Sequence, residues 1–232
     1  MKGVTVALIG ADGAGKTTIG RRLEHSLAMP AIYLYMGVNA EASNHLLPTT
    51  RLIRAAKRAM GRVPDSGPPD PRPTERAPTS SSATRRFLSG VRAVLRLLNR
   101  LAEEWHRQLL AWRHVRRGEV VVFDRHYFAD YYSHDVAEGG PRSVTRRMHG
   151  FVLQRLYPRP DLVVFLDAPP ETLFARKGEG SIEALRRRRQ DYLDVAPHCR
   201  HFVSVNADRP LDTVTADVVD VVNDFVRRPY RP

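Results

Sequence analysis

Two rhythms of apolar residues alternate along this chain. Short, mostly apolar runs at residues 4–9, 31–36, 119–124, 161–167 and 201–205 read as strands, those at 4–9 and 119–124 as buried ones. Between them, apolar residues recur every third or fourth position, which predicts helices over residues 16–28, 85–116, 143–156, 171–176, 182–194 and 211–226. Punctuation agrees: Pro30 ends the first helix, Gly118 closes the long one, and Pro169-Pro170 breaks the fourth strand from the helix beginning at Glu171. In the long helix Phe87, Leu88, Val91, Val94, Leu95, Leu98, Leu101, Trp105, Leu109 and Trp112 step by three or four, with arginines on the opposite, solvated face. Strand and helix in strict alternation predict an α/β fold in three layers, α/β/α, with a mainly parallel central sheet.

Two stretches depart from the rhythm. Residues 40–117 read as an insertion into a single domain spanning 1–232. It holds a basic, helix-compatible segment, Thr50 to Met60, and a Pro/Ser-rich stretch at about 63–84 with six prolines and Thr79-Ser80-Ser81-Ser82. Such a stretch lacks the apolar groups to fill a core and is expected to form a mobile loop. Residues 176–190 combine two glycines, Gly178 and Gly180, with Arg176, Lys177 and the run Arg186-Arg187-Arg188-Arg189, the composition of an arginine-rich lid that closes over phosphates.

Composition narrows the setting. At 232 residues, 42% hydrophobic and 27% charged, the chain can bury a full core. No stretch approaches the roughly 20 apolar residues of a transmembrane helix, and the start lacks a signal-peptide pattern. Cys199 is the only cysteine, so no intrachain disulfide can form, which suits a cytoplasmic setting. The net charge of +12 is mostly arginine, concentrated at residues 85–117 and 186–189 rather than in a tail. A phosphorylated small molecule accounts for that distribution better than a membrane or nucleic acid.

The chemistry begins directly after the first strand. Gly10-Ala11-Asp12-Gly13-Ala14-Gly15-Lys16-Thr17-Thr18 has P-loop spacing, with four residues between Gly10 and Gly15-Lys16-Thr17, and lies between a strand and a helix as the motif requires. Glycines at 10, 13 and 15 let consecutive backbone N–H groups turn toward one anion. Lys16 reaches the β- and γ-phosphate oxygens, the Thr17 hydroxyl ligates Mg²⁺, and the helix N-terminus adds partial positive charge. A second landmark stands at the tip of the third strand, where Asp124 can serve the magnesium shell or take a proton and Arg125 can meet an acceptor or developing charge. Ligands collect beyond the carboxyl ends of parallel strands, which brings Tyr33, Tyr35, Met36, Asn39 and the segment His126 to Ser133 near the same place. Core packing accounts for Tyr33 equally well.

These motifs resemble the thymidylate kinase family of P-loop nucleotide kinases. The resemblance rests on Gly10 to Thr18 with its internal Asp12, on Asp124-Arg125-His126-Tyr127, on Asp161 to Pro170 leading into the lid, and on Val205 to Leu211. It covers about residues 3–38 and 118–226, and residues 40–117 match poorly. It implies ATP and Mg²⁺ as cofactors, with Lys16 and Thr17 on phosphates and metal and Asp12 orienting the acceptor. It further implies Arg125 on the acceptor or transferred phosphoryl, Asp124 supporting the metal shell, Arg176, Lys177 and some of Arg186 to Arg189 neutralising charge, and a possible homodimer. The Phe-x-Arg-Glu-Pro element that grips the nucleoside monophosphate in that family is replaced by Met36-Gly37-Val38-Asn39.

The function expected is an ATP-dependent phosphotransferase acting on a small acceptor, a nucleoside monophosphate such as dTMP or a related metabolite. The alternatives are a sugar or other hydroxyl acceptor, a nucleic-acid-stimulated NTPase, or a non-catalytic scaffold. A guanine-nucleotide switch fits poorly, because Val205-Asn206-Ala207-Asp208 lacks the lysine of the guanine-reading element.

Overall fold

The structure, a computed structural model, describes residues 3–37, 83–126, 144–178 and 180–227, with isolated positions between 47 and 59. Its strands are β1 (Val4–Ile9), β2 (Ala31–Tyr35), β3 (Val120–Asp124), β4 (Leu162–Asp167) and β5 (Phe202–Asn206). Between and after them run the helices α1 (Lys16–Ser26), α2 (Ala83–Arg116), α3 (Val144–Arg155), α4 (Pro170–Lys177), α5 (Ile182–Asp194) and α6 (Leu211–Arg227). The strands form one sheet in the order β2-β3-β1-β4-β5, with every neighbouring pair parallel. All five carboxyl ends therefore open on one edge.

Strand alternation sorts the core into two layers. Val6, Leu8, Val120, Val122, Leu162, Val164 and Leu166 face one way, against Ile19 and Leu23 of α1 and Val214, Val218 and Val222 of α6. Ala7, Ile9, Val121, Phe123, Val163 and Phe165 face the other, against Ala111 of α2, Leu153 of α3 and Tyr192 of α5. With each side chain the size of Phe123 or Leu8 contributing about 1.5–3 kcal/mol on burial, the sheet is the rigid part from which the site projects. The start of the sheet is pinned as well: the Thr5 N–H and hydroxyl both donate to Asp161 Oδ2, at 2.8 and 2.7 Å.

The long helix differs from its periodicity. Val91, Val94, Leu95, Leu98 and Leu109 are exposed, whereas Glu103, Glu104, Arg107, Gln108 and Ala111 are buried. The inward face in the second half of α2 is mixed: Ala111 is buried in the core and Trp105, Leu110 and Val115 pack against it, while the polar residues beside them have polar partners. The His149 ring of α3 lies 2.8 Å from Glu104 Oε1, the Tyr157 hydroxyl donates to the Glu104 carbonyl, and Arg107 Nη1 donates to the Gly37 carbonyl at 3.1 Å. Of the Pro/Ser-rich stretch, residues 63–82 lie outside the described residues, while Ala83 and Thr84 already belong to α2. Asn39 and residues 127–133 also lie outside them.

Candidate active site

Two adjacent strand tips build the site. β1 runs beside β3 with Leu8 opposite Asp124, and Gly10 to Gly15 curl from the end of β1 into α1. A Cβ at Gly10, where φ is +148°, would stand 2.7 Å from the Leu166 carbonyl oxygen, so only glycine lets the loop pass β4. Gly15 precedes α1 in the left-handed conformation, and no side chain caps the helix, as suits a helix start whose N–H groups serve an anion. Lys16 is buried, and its ammonium donates to the Ala11 carbonyl at 2.8 Å. Thr17 and Thr18 stand exposed on the first turn, and Ala11 and Ala14 pack into the core.

At the tip of β3, Asp124 is fully buried. Its Oδ2 accepts from the Thr17 hydroxyl at 2.6 Å and the Tyr33 hydroxyl at 2.7 Å, while Oδ1 has no hydrogen-bond partner. A buried carboxylate with one saturated and one bare oxygen, beside a P-loop threonine, fits a magnesium ion or its water shell. Among the described residues no cluster of three or more His, Cys, Asp or Glu side chains could hold a metal. Burial, and then the Asp124 carboxylate, raise the Tyr33 hydroxyl above its ordinary pKa, so it stays a donor.

Arg125, the next residue, adopts φ +67°, the one described non-glycine residue with positive φ. A left-handed arginine costs about 1–3 kcal/mol, and such strain gathers where a side chain must be aimed. Here it is aimed at the loop: Arg125 Nη2 donates to Asp12 Oδ1 at 2.5 Å. Arg188 of α5 donates to the other oxygen, Oδ2, at 3.0 Å, and Lys16 Nζ lies 3.9 Å from Oδ1. Burial alone would raise the Asp12 pKa, but Arg125, Lys16, Arg188 and Lys177 together outweigh it and hold the carboxyl below the usual carboxylate range.

The four lid arginines fan out as consecutive helical positions must. Arg186 pairs with Glu171 at 3.0 Å, Arg187 is exposed, Arg188 reaches Asp12, and Arg189 forks onto Asp167 at the tip of β4, with contacts of 2.5 and 2.7 Å. Hydrogen bonding to Asp167 raises the Arg189 pKa further. Arg176 lies elsewhere, donating to the Ala207 carbonyl at 3.0 Å and standing 4.0 Å from Asp208, on the turn after β5. Thus the structure brings together Gly10 to Thr18, Asp124 and Arg125, and sets Arg176 at the β5 side of the same edge.

Sequence reasoning left out two features and placed a third only in part. Tyr33 stands among the residues expected near the acceptor, with core packing an equal account, and the structure puts its hydroxyl on Asp124. Glu103 and Gln108 are visible only as a polar stripe at 103, 104, 107 and 108 within a basic helix, and each carries a buried oxygen without a hydrogen-bond partner, Glu103 Oε2 and Gln108 Oε1. Asp167 is the last residue of its strand, with no local signal of its partner.

A phosphate loop at the central strand of a parallel sheet, an aspartate at the neighbouring tip and basic groups converging on the loop define a P-loop kinase. The thymidylate kinase family model matches residues 87–218, more than half of the chain, and the chain belongs to that family. The match takes in most of α2, whose sequence by itself groups with the divergent insertion. The phosphate loop lies outside it and stands on its own geometry. A thymidylate kinase of Xanthomonas campestris pv. campestris (strain B100) is 29% identical over 236 residues, covering 97% of this chain and 87% of that protein. One from Xanthomonas oryzae pv. oryzae (strain PXO99A) is 27% identical over 214 residues, 89% of this chain and 78% of the relative. A probable thymidylate kinase of Archaeoglobus fulgidus is 29% identical over 119 residues, 48% of this chain and 57% of that protein. No described helix is long and apolar enough to cross a membrane.

Proposed function

We propose that the chain transfers the γ-phosphoryl group of ATP, bound with Mg²⁺, to a small acceptor, a nucleoside monophosphate such as dTMP or a related metabolite, within one domain of residues 1–232. The observation that carries this reading is the convergence of Arg125 and Arg188 on opposite oxygens of Asp12, with Lys16 beside them. Three cations around one anion at a phosphate loop are where a transferring phosphoryl would need them. The loop N–H groups and Lys16 would bind the β- and γ-phosphates, Lys16 exchanging the Ala11 carbonyl for a phosphate oxygen. Thr17 and the bare oxygen of Asp124 would hold Mg²⁺, which when bound neutralises phosphate charge. Asp12, released from its arginines, would accept a hydrogen bond from the acceptor and orient it. Arg125 and Arg188 would then face the phosphoryl as it passes. Arg176 and Lys177 would neutralise charge at the lid. Positioning and charge neutralisation supply most of the acceleration in such a reaction.

One observation favours a second reading, a non-nucleotide hydroxyl acceptor such as a sugar. Gln108 Oε1 and Glu103 Oε2, the latter 3.7 Å from Arg107 Nη2, lie on the face of α2 whose Arg107 reaches the end of β2 and are hydrogen-bond acceptors, which suit O–H or N–H donors better than phosphate. An ATP-consumption screen over dTMP, other monophosphates, nucleosides and sugars separates the two. Turnover with monophosphates alone supports the first, and turnover with sugars alone supports the second. Hydrolysis that rises only with DNA or RNA would overturn both.

A further inference from the structure

The kinase reading accounts for Thr17 on Asp124 but leaves the second donor to the same oxygen, Tyr33, without a role. Tyr33 is held from four sides. Its N–H donates to Glu24 Oε1 of α1 at 2.8 Å, and its hydroxyl donates to Asp124 Oδ2 at 2.7 Å. The Arg21 guanidinium carbon lies 5.8 Å from its ring centre. Its ring fills the space left by Gly20: a Cβ there would come within 2.9 Å of Tyr33 Cδ2 and Cε2. Glycine inside a helix is unfavourable relative to alanine, yet α1 carries one where alanine would displace the tyrosine. Parallel register completes the arrangement, because Tyr33 lies opposite Val122 and the ring spans two positions along β3 to reach Asp124.

We propose that Tyr33 is a positioning residue of the metal site, which together with Thr17 saturates Oδ2 of Asp124 and so presents Oδ1 as the cation-facing oxygen. A carboxylate held by one donor can exchange its two oxygens by rotation. Held by two donors from different elements, α1 and β2, it cannot rotate without breaking both bonds. Asp124 Oδ1 is buried and bare, as a ligand position awaiting a cation would be. Removing an outer partner of a metal-ligating group typically lowers metal affinity 10–100-fold. The hydroxyl does not touch substrate, so its loss should weaken the cation rather than the acceptor.

This inference rests on the kinase reading, and its test separates the two. Binding of Mn²⁺ in the presence of ADP is measured by electron paramagnetic resonance, and ATP turnover is followed across a Mg²⁺ titration, for the wild-type chain, Tyr33→Phe and Gly20→Ala. Tyr33→Phe is expected to raise both the Mn²⁺ dissociation constant and the half-saturating Mg²⁺ about tenfold or more, with turnover recovering as Mg²⁺ rises and the acceptor KM unmoved. Gly20→Ala keeps the hydroxyl but pushes the ring, and should shift both quantities the same way. It also carries the test if Tyr33→Phe fails to fold. A wild-type chain that binds Mn²⁺ with ADP, alongside variants that match it within twofold, overturns the role of Tyr33. A wild-type chain that binds no Mn²⁺ with ADP overturns this inference together with the kinase reading.

Discussion

His126 makes the stability of the site depend on mild acid. Its ring is buried beyond Arg125, 5.3 Å from the Phe123 ring and 5.8 Å from that of Tyr157, and burial pushes its pKa down from 6.5 to about 3. The folded state holds the neutral imidazole, while the unfolded chain takes up a proton as pH falls through about 6.5. The contribution is present above the unfolded pKa and is lost progressively toward the folded one. At pH 5 the folded ring is still neutral and the unfolded one almost fully charged. The loss between pH 7 and pH 5 then corresponds to about 1.5 pKa units at about 1.4 kcal/mol each, or about 2 kcal/mol. Asp12 adds little in this window, because its folded pKa is lowered and its contribution is lost only as pH falls from the unfolded carboxylate value of 3.8 through that lower folded one. Urea unfolding followed by the fluorescence of Trp105 and Trp112 at the two pH values measures the loss, and His126→Gln removes the titrating group. The wild type should lose about 2 kcal/mol more than the variant between pH 7 and pH 5. Equal losses in both would refute the reasoning, since the pH dependence would then come from other groups.

Lys16→Ala should lower turnover by about 10²–10³-fold with every acceptor while leaving the circular dichroism spectrum unchanged; full activity would remove the phosphate loop from the mechanism. Gly10→Ala places a Cβ 2.7 Å from the Leu166 carbonyl oxygen at φ +148° and should cost about 1–3 kcal/mol, read by chemical denaturation, together with nucleotide binding. An unchanged midpoint would mean that the loop can move off β4. Arg189→Ala breaks the fork onto Asp167 and, being partly exposed, should cost about 0.5–1 kcal/mol. Arg187→Ala at an exposed position should stay within about 0.5 kcal/mol, and equal effects would show that the Asp167 fork contributes nothing.

The strands and the phosphate loop were legible because their signals are local. Six consecutive apolar residues need no partner to read as a buried strand, and Gly10 to Thr18 carries its chemistry in its own spacing. The stripe on α2 misled for the same reason. Periodicity reports which residues share a face, and Val91, Val94, Leu95 and Leu98 do share one, but it cannot say which face meets the sheet. In the second half of α2, beside the apolar contacts of Trp105 and Ala111, there are polar partners, His149 and the Gly37 carbonyl, and they draw Glu104 and Arg107 inward. The arginine run shows the same limit: its four members point all round α5, and only the folded chain selects Arg188 for Asp12.

The sequence alone therefore determined the α/β alternation, the phosphate loop and the delivery of Asp124-Arg125 at a strand tip, since each depends on neighbours within a few residues. Tertiary structure decided the pairings between elements: Asp12 with Arg125 and Arg188, Asp167 with Arg189, and Tyr33 with Thr17 on one oxygen of Asp124. The contacts of Asp124 and Arg125 depend on strand order, with β3 between β1 and β2. No local pattern encodes it, because it is set by how the helices cover the two faces of the sheet.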